Sequence, residues 1–465
     1  MTMRQHAIDN ATRFFDDGEF LRVLRRRVGM RTESQEPGRH DELAAYLTLE
    51  LAPSLQQLGF SCRAVPNPRD SFGPFLFAHR HEGNDLPTVL IYGHGDTVRC
   101  TDELWRAGLK PLEVTIEGDH WYGRGTADNK GQHTINFAAL DAVLSARGGR
   151  LGFNAKVIME MGEETGSPGL HEVCRRHRSD LAADVLIASD GPRLAVERPT
   201  LFLGSRGVVN FDLSVDLRTG AHHSGNWGGL LRNPGTVLAN AMATLVDKRG
   251  TILVEGLRPP PIPDAVRRSL QDLKVGDGAN DPAIDHGWGE PGLTNEERLF
   301  GWNTLEVLAF KTGDPDQPLN AIPPSARATM QFRFVVGTEA HNVVSIVQDH
   351  LDRNGFPWVT VEIGQMVGGG ATRVDPDDPW VTWALDSIVR TTSKKPGLLP
   401  NFGGWIPNDA FVDILGMPTL WVPHSYPGCS QHAPDEHLLD HVAAEGLTIM
   451  VALFDEVPTG PGRRA

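Results

Sequence analysis

Apolar runs of strand length that end in an imidazole or a carboxylate constrain this chain more than any other feature. TVLIYGHGDTV carries His94 and Asp96, VIMEMGEETGS carries Glu163 and Glu164, and DVLIASDGP carries Asp190. Asp128 lies in WYGRGTADNKG, and His432 lies far downstream in GCSQHAPDEH. Helical segments separate the runs: GQHTINFAALDAVLSARGG is closed by glycines, and LHEVCRRHRSDL follows the glutamate pair. This alternation predicts an α/β fold whose central sheet is mostly parallel and flanked by helices. Ligands of such sheets gather at the carboxyl ends of the strands, so these side chains point to a metal site there.

The pattern changes partway along. Residues 7–60 read as helical, and the strand–helix alternation follows them. Near Gly204 it gives way to VVNFDLSVDL, whose apolar and polar residues alternate as in a half-solvated antiparallel strand. TLEVLAFKTG, ARATMQFRFVVG and WVTVEIGQ read as further strands, with a helix in EAHNVVSIVQDHLDRNG. Residues 256–300, rich in Pro, Gly and charge, read as an excursion with little regular sheet. Buried strands and helices return with PWVTWALDSIVRTT and MPTLWVPH. The expected organisation is a catalytic domain, residues 1–203 and 373–465, interrupted by an α+β domain at residues 204–372.

Composition narrows the function classes. A net charge of -15 over 465 residues argues against a nucleic-acid partner. No apolar stretch approaches the ~20 residues of a membrane span, and the charged N-terminal segment lacks a signal-peptide core. Four cysteines without CxxC spacing suit a reduced, cytoplasmic chain.

Each motif alone has a bland reading. His94-x-Asp96 matches a polar turn after a strand as well as a metal-bound imidazole whose other N–H is held by a carboxylate. Asp128 can bridge two metals through its two oxygens, or simply cap the helix that follows. Gly123-Arg124-Gly125 begins a dinucleotide-binding fingerprint, but Asp128 stands where the third glycine belongs. Glu163 and Glu164 can be a solvated acidic turn; at a sheet edge, one can bind metal while the other faces the polarised water. His432 is one of 18 histidines and gains interest only from its company. Asp128, Glu164 and Asp190 together supply three negative charges, which two divalent cations and a hydroxide neutralise. Donors of this kind, without thiolate, suit Zn²⁺, with Mn²⁺ or Co²⁺ as alternatives. No G-x-S-x-G is present, which argues against a serine hydrolase.

Taken in order, the segments HGDTV, ELWRAGLKPLEVTIEGDHWYGRGTADNKG, GEETGSPG, HHSGNWGG, GGWIP and QHAPDEH resemble the M20 family of dinuclear zinc peptidases and deacylases. The likeness is strongest to its carnosinase-like dipeptidase branch. It implies His94 and Asp190 as ligands of one zinc, Asp128 as the bridge, and Glu164 and His432 as ligands of the second. It implies Glu163 as general base and Asp96 as the partner that orients His94. In the inserted domain it implies a lid that also forms a homodimer. There His223 reaches the neighbouring subunit's active site, Arg333 grips the substrate's carboxylate and Asn320 touches the substrate. The branch usually has serine in GGSIP, whereas Trp405 stands there in this chain. The expected activity is metal-dependent hydrolysis of an amide bond in a small substrate such as a dipeptide. An N-acyl amino acid or an aryl amide is the alternative that Trp405 favours.

Overall fold

The computed structural model describes residues 2–276, 282–367 and 369–462. The chain forms two compact units: one of residues 1–204, 374–399 and 407–465, the other of 205–373 and 400–406.

In the first unit an eight-stranded sheet runs in the order Ser61–Val65, Phe75–Arg80, Asn154–Glu160, Thr88–His94, Val185–Ala188, Thr419–Trp421, Thr200–Phe202, Gly397–Leu399. The Thr88–His94 strand is buried along almost its whole length, as its unbroken apolar run predicts. It pairs in parallel with Asn154–Glu160 on one side and Val185–Ala188 on the other. Register sets His94 opposite Glu160, and Tyr92 opposite Ala188. The loops after these three strands therefore start at one level, and they carry Asp96, Glu163, Glu164 and Asp190. Antiparallel pairs join Ser61–Val65 to Phe75–Arg80 and Phe75–Arg80 to Asn154–Glu160. The helices Lys130–Ala146 and Asp440–Glu456 bury Ile135, Leu140, Val143, Leu447, Met450 and Leu453 in the same core as Val89, Ile91, Val157 and Ile187.

The second unit holds a four-stranded antiparallel sheet, ordered Thr304–Lys311, Ser325–Phe334, Gly207–Asp216, Thr360–Val367. Period-two alternation puts Met330, Phe332 and Phe334 into its core with Phe211, Leu213 and Val215. The helices Pro234–Leu245 and Val343–Arg353 cover that core with Leu238, Leu245, Val347 and Leu351. Asn233 starts the first of them by accepting the N–H groups of Gly235 and Thr236. The 256–300 excursion contains two short helices, Asp264–Leu270 and Asn295–Phe300, with residues 277–281 outside the described part. At one margin of the sheet, Thr304–Lys311 leaves Val307, Leu308 and Phe310 exposed by 49%, 53% and 43%. Residues 400–406 join this unit through local bonds: Arg206 N–H donates to the carbonyl of Phe402, and the Asn401 amide to that of Phe300.

Candidate metal centre

His94 closes its strand fully buried. Gly95 follows because nothing larger fits: a Cβ there would stand 2.6 Å from the ring of Tyr46 and 2.8 Å from the sulfur of Met161. That tight turn brings Asp96 back beneath the imidazole. His94 Nδ1 lies 3.1 Å from the Asp96 carbonyl and 3.3 Å from its Oδ1. Nε2 is thereby left to face outward, where it meets Asp128 Oδ1 at 3.0 Å and Asp190 Oδ2 at 3.6 Å. Asp96 also holds the next loop, since its two oxygens accept the backbone N–H groups of Glu163 and Glu164 at 3.2 and 3.1 Å. One carboxylate thus orients the histidine and seats the glutamate turn.

Asp128 ends the loop before helix Lys130–Ala146. The helix cap falls on Asn129, and the Asp128 side chain turns away from the helix towards two histidines. Gly131 lets the loop fold onto the helix, since a Cβ there would overlap the Thr126 carbonyl at 1.9 Å. The Asp128 oxygens divide their partners. Oδ1 faces His94, while Oδ2 faces His432 Nε2 at 3.0 Å and also accepts from Gln431. His432 Nε2 lies 3.0 Å from Glu164 Oε2. Two donor sets result, His94–Asp128–Asp190 and Asp128–Glu164–His432, each with its ligand atoms within 4.8 Å of one another. His432 reaches its place on a backbone with φ of 61°, in the left-handed region, and Ser430 and Asp435 nearby share that conformation. Strain of this kind collects at functional sites.

The electrostatics favour positive charge among these carboxylates. Burial first, and the charge of Asp128 second, push the Glu164 carboxyl up to about 7 and that of Asp190 up to about 6. Glu163 is also raised well above the usual carboxylate range, by burial and then by Asp190, Glu164 and Asp128. Carboxylates crowded this way repel one another unless cations sit among them. The donor chemistry, imidazole and carboxylate with no thiolate, fits divalent metal ions.

Seven of the residues singled out in the sequence thus come together in the first unit: His94, Asp96, Asp128, Glu163, Glu164, Asp190 and His432. The other four lie in the second unit. His223, exposed, ends the two-residue strand His222–His223, which pairs with Ala321–Ile322. Its neighbour Ser224 donates its N–H to the Asn320 carbonyl at 3.0 Å, so His223 and Asn320 are close. Arg333 leaves the apolar side of its strand, donates through Nε to Gln331 at 3.1 Å, and keeps a buried Nη1 with no partner among the described residues. The indole N–H of Trp405 is likewise buried with no partner among them.

Sequence reasoning missed two groups. Arg206 donates through Nε and Nη2 to the Gly403 carbonyl, at 3.1 and 2.9 Å, and its Nη1 is unpaired among the described residues. Burial, and then the charge of Arg333, pull its pKa down to about 10. Nothing in Ser-Arg-Gly announces this. The second is Glu436, buried against Arg124; it stands inside QHAPDEH, but a carboxylate that binds backbone N–H groups leaves no sequence period.

The chain is similar to known proteins in sequence and in fold. A family model described as Peptidase family M20/M25/M40 matches residues 90–456. A Beta-Ala-His dipeptidase of Mus musculus is 30% identical over 468 residues, covering 94% of this chain and 93% of the relative. A Cysteinylglycine-S-conjugate dipeptidase of Corynebacterium striatum is 28% identical, covering 74% of this chain and 73% of its own length. Among solved structures, the M20 family metallo-carboxypeptidase Sso-CP2 from Sulfolobus solfataricus shares the fold. It superposes with a TM-score of 0.79 at 24% identity, covering 95% of this chain and 99% of that one.

Proposed function

This chain belongs to peptidase family M20/M25/M40, and we propose how its residues divide the work of a metal-dependent peptidase acting on small substrates. His94, Asp128 and Asp190 hold one divalent ion; Asp128, Glu164 and His432 hold a second. The observation that carries this reading is the division of Asp128, whose two oxygens face two different histidines at 3.0 Å each. Zinc is the preferred ion for this donor set.

Divalent ions held in these two donor sets would acidify a water and act as Lewis acids toward a carbonyl. The chain's own residues do the rest. Asp96 fixes the His94 ring and the backbone of the glutamate turn. Glu163 belongs to neither donor set, which leaves its carboxylate to take the proton of the attacking water and pass it to the leaving amine. Arg333, with an unpaired Nη1 among the described residues, holds the carboxylate end of the substrate in the planar fashion that a guanidinium allows. Asn320 adds a polar contact to the substrate, and Trp405 stands where the dipeptidase branch has the serine that helps hold the carboxylate.

The substrate class in this reading is a dipeptide with a free C-terminus, which the dipeptidases among the relatives support. Trp405, whose indole N–H has no partner among the described residues, favours an N-acyl amino acid or an aryl amide as the second reading. Metal-loaded protein is expected to carry about two divalent ions per chain by elemental analysis. It should cleave free dipeptides faster than their C-terminal amides. A fully active protein without metal sinks the mechanism. Equal rates on acids and amides remove the carboxylate requirement, and cleavage confined to N-acyl substrates selects the second reading.

A homodimer completes the proposal. The Thr304–Lys311 strand offers a sheet edge with exposed Val307, Leu308 and Phe310, the kind of surface that a second copy covers. His223 would then stabilise the oxyanion in its partner's site. Light scattering of the active protein is expected to give a dimer; an active monomer excludes a required contribution from His223. All four cysteines are free thiols, which supports a reducing, cytoplasmic location. No helix among the described residues is long and apolar enough to cross a membrane.

A further inference from the structure

We propose that Glu436 is a positioning residue that locks the Asp128 loop to the His432 loop and thereby sets the geometry of both metal sites. The inference rests on the reading of Asp128 as the ligand common to the two. Glu436 lies four residues beyond His432, in the same loop. Its Oε1 accepts three backbone N–H groups, those of Gly125, Ala127 and Asp128, each at 3.0 Å. Its Oε2 accepts from Arg124 Nη1 at 2.7 Å, and its own carbonyl accepts from the Gly123 N–H at 2.9 Å. Arg124 in turn donates through Nη2 to the Arg99 carbonyl at 3.2 Å. The Arg124 and Glu436 side chains are only 2% and 1% exposed. A single residue of the His432 loop therefore binds the backbone at 123, 125, 127 and 128.

Simple filling of space does not account for a carboxylate here. A second buried anion beside Asp128 is repulsive; burial raises the Glu436 carboxyl, and Asp128 adds to that against the pull of Arg124. A carboxylate does what no neutral side chain can: one oxygen takes three N–H groups while the other takes a guanidinium. The N–H of Asp128 itself is among the three, so Glu436 fixes the very residue whose oxygens face His94 and His432. Loosening it shifts Asp128 relative to both histidines at once.

The test measures Zn²⁺ affinity on the full chain by competition with a chromophoric chelator, at a temperature where circular dichroism shows each variant folded. Glu436→Gln is expected to bind both ions more weakly by ~10–100-fold, the usual cost of losing a partner that orients a ligand. A space-filling role would lower the melting temperature and leave the affinity of the folded protein unchanged. Wild-type affinity for both ions in folded Glu436→Gln overturns the proposal, and so does weakening of one ion alone. If Glu436→Gln does not fold, Arg124→Lys keeps a cation against Oε2 while losing the planar contact. It should weaken both ions several-fold, and unchanged affinity there overturns the proposal equally. Wild-type protein that binds no Zn²⁺, Mn²⁺ or Co²⁺ overturns the metal reading itself, an outcome visible before any variant is made.

Discussion

Glu163→Gln is expected to keep the fold and both metals and to lose turnover by ~10²–10⁴-fold, the range that a positioned proton-transfer group contributes. Glutamine preserves the volume of the side chain and the backbone N–H that donates to Asp96, so the turn stays in place. Only the ability to accept and return a proton disappears. The substitution at the next position behaves differently. Glu164 Oε2 stands 3.0 Å from His432 Nε2 inside a donor set, so Glu164→Gln weakens one metal site before it affects any proton. Elemental analysis and kcat on the two variants separate the roles. Metal loss in Glu163→Gln together with retained metal in Glu164→Gln means that the two glutamates have exchanged duties.

Asp128→Ala is expected to disable both donor sets at once. It removes a ligand from both donor sets in one step, because Oδ1 serves His94 and Oδ2 serves His432. Both ions are expected to bind more weakly by more than the ~10–100-fold typical of an outer partner, and activity should fall to background at ordinary metal concentrations. The same change lifts the repulsion that Asp128 exerts on Glu164 and Asp190. The folded protein can therefore survive the substitution, and a cooperative melt with no bound metal is the expected picture. An Asp128→Ala protein that retains two ions and near-normal turnover removes the shared-ligand mechanism.

Much of this centre is legible in the sequence because strand ends are. His94 and Asp190 close buried apolar runs, and parallel pairing brings such ends to one edge without further information. Asp128 is ambiguous there: a carboxylate before a helix is as good a cap as a ligand, and only the fold shows that the N-cap position falls on Asn129 and that Asp128 faces two histidines. The helix expected over LHEVCRRHRSDL is divided at His177, whose ψ of 29° interrupts the regular backbone. His222–His223 is too short for any periodicity to reveal. Arg206 and Glu436 stay hidden for a common reason. Their partners are backbone groups distant in sequence, at Gly403 and at residues 123–128, and a pattern of side chains carries no trace of those.

The left-handed backbone of His432 has a consequence for how this loop can change. Single residues held there cost on the order of 1–2 kcal/mol unless they are glycine. Position 432 is thus a place where fitness for folding and fitness for chemistry favour different amino acids. Glycine would relax the turn and discard the imidazole; a β-branched residue would lose the imidazole and deepen the strain. With Ser430 and Asp435 in the same conformation, the segment is a poor starting point for stabilising mutations chosen without regard to function. A search for thermostable variants of this enzyme would find its easiest gains in the loop least able to yield them.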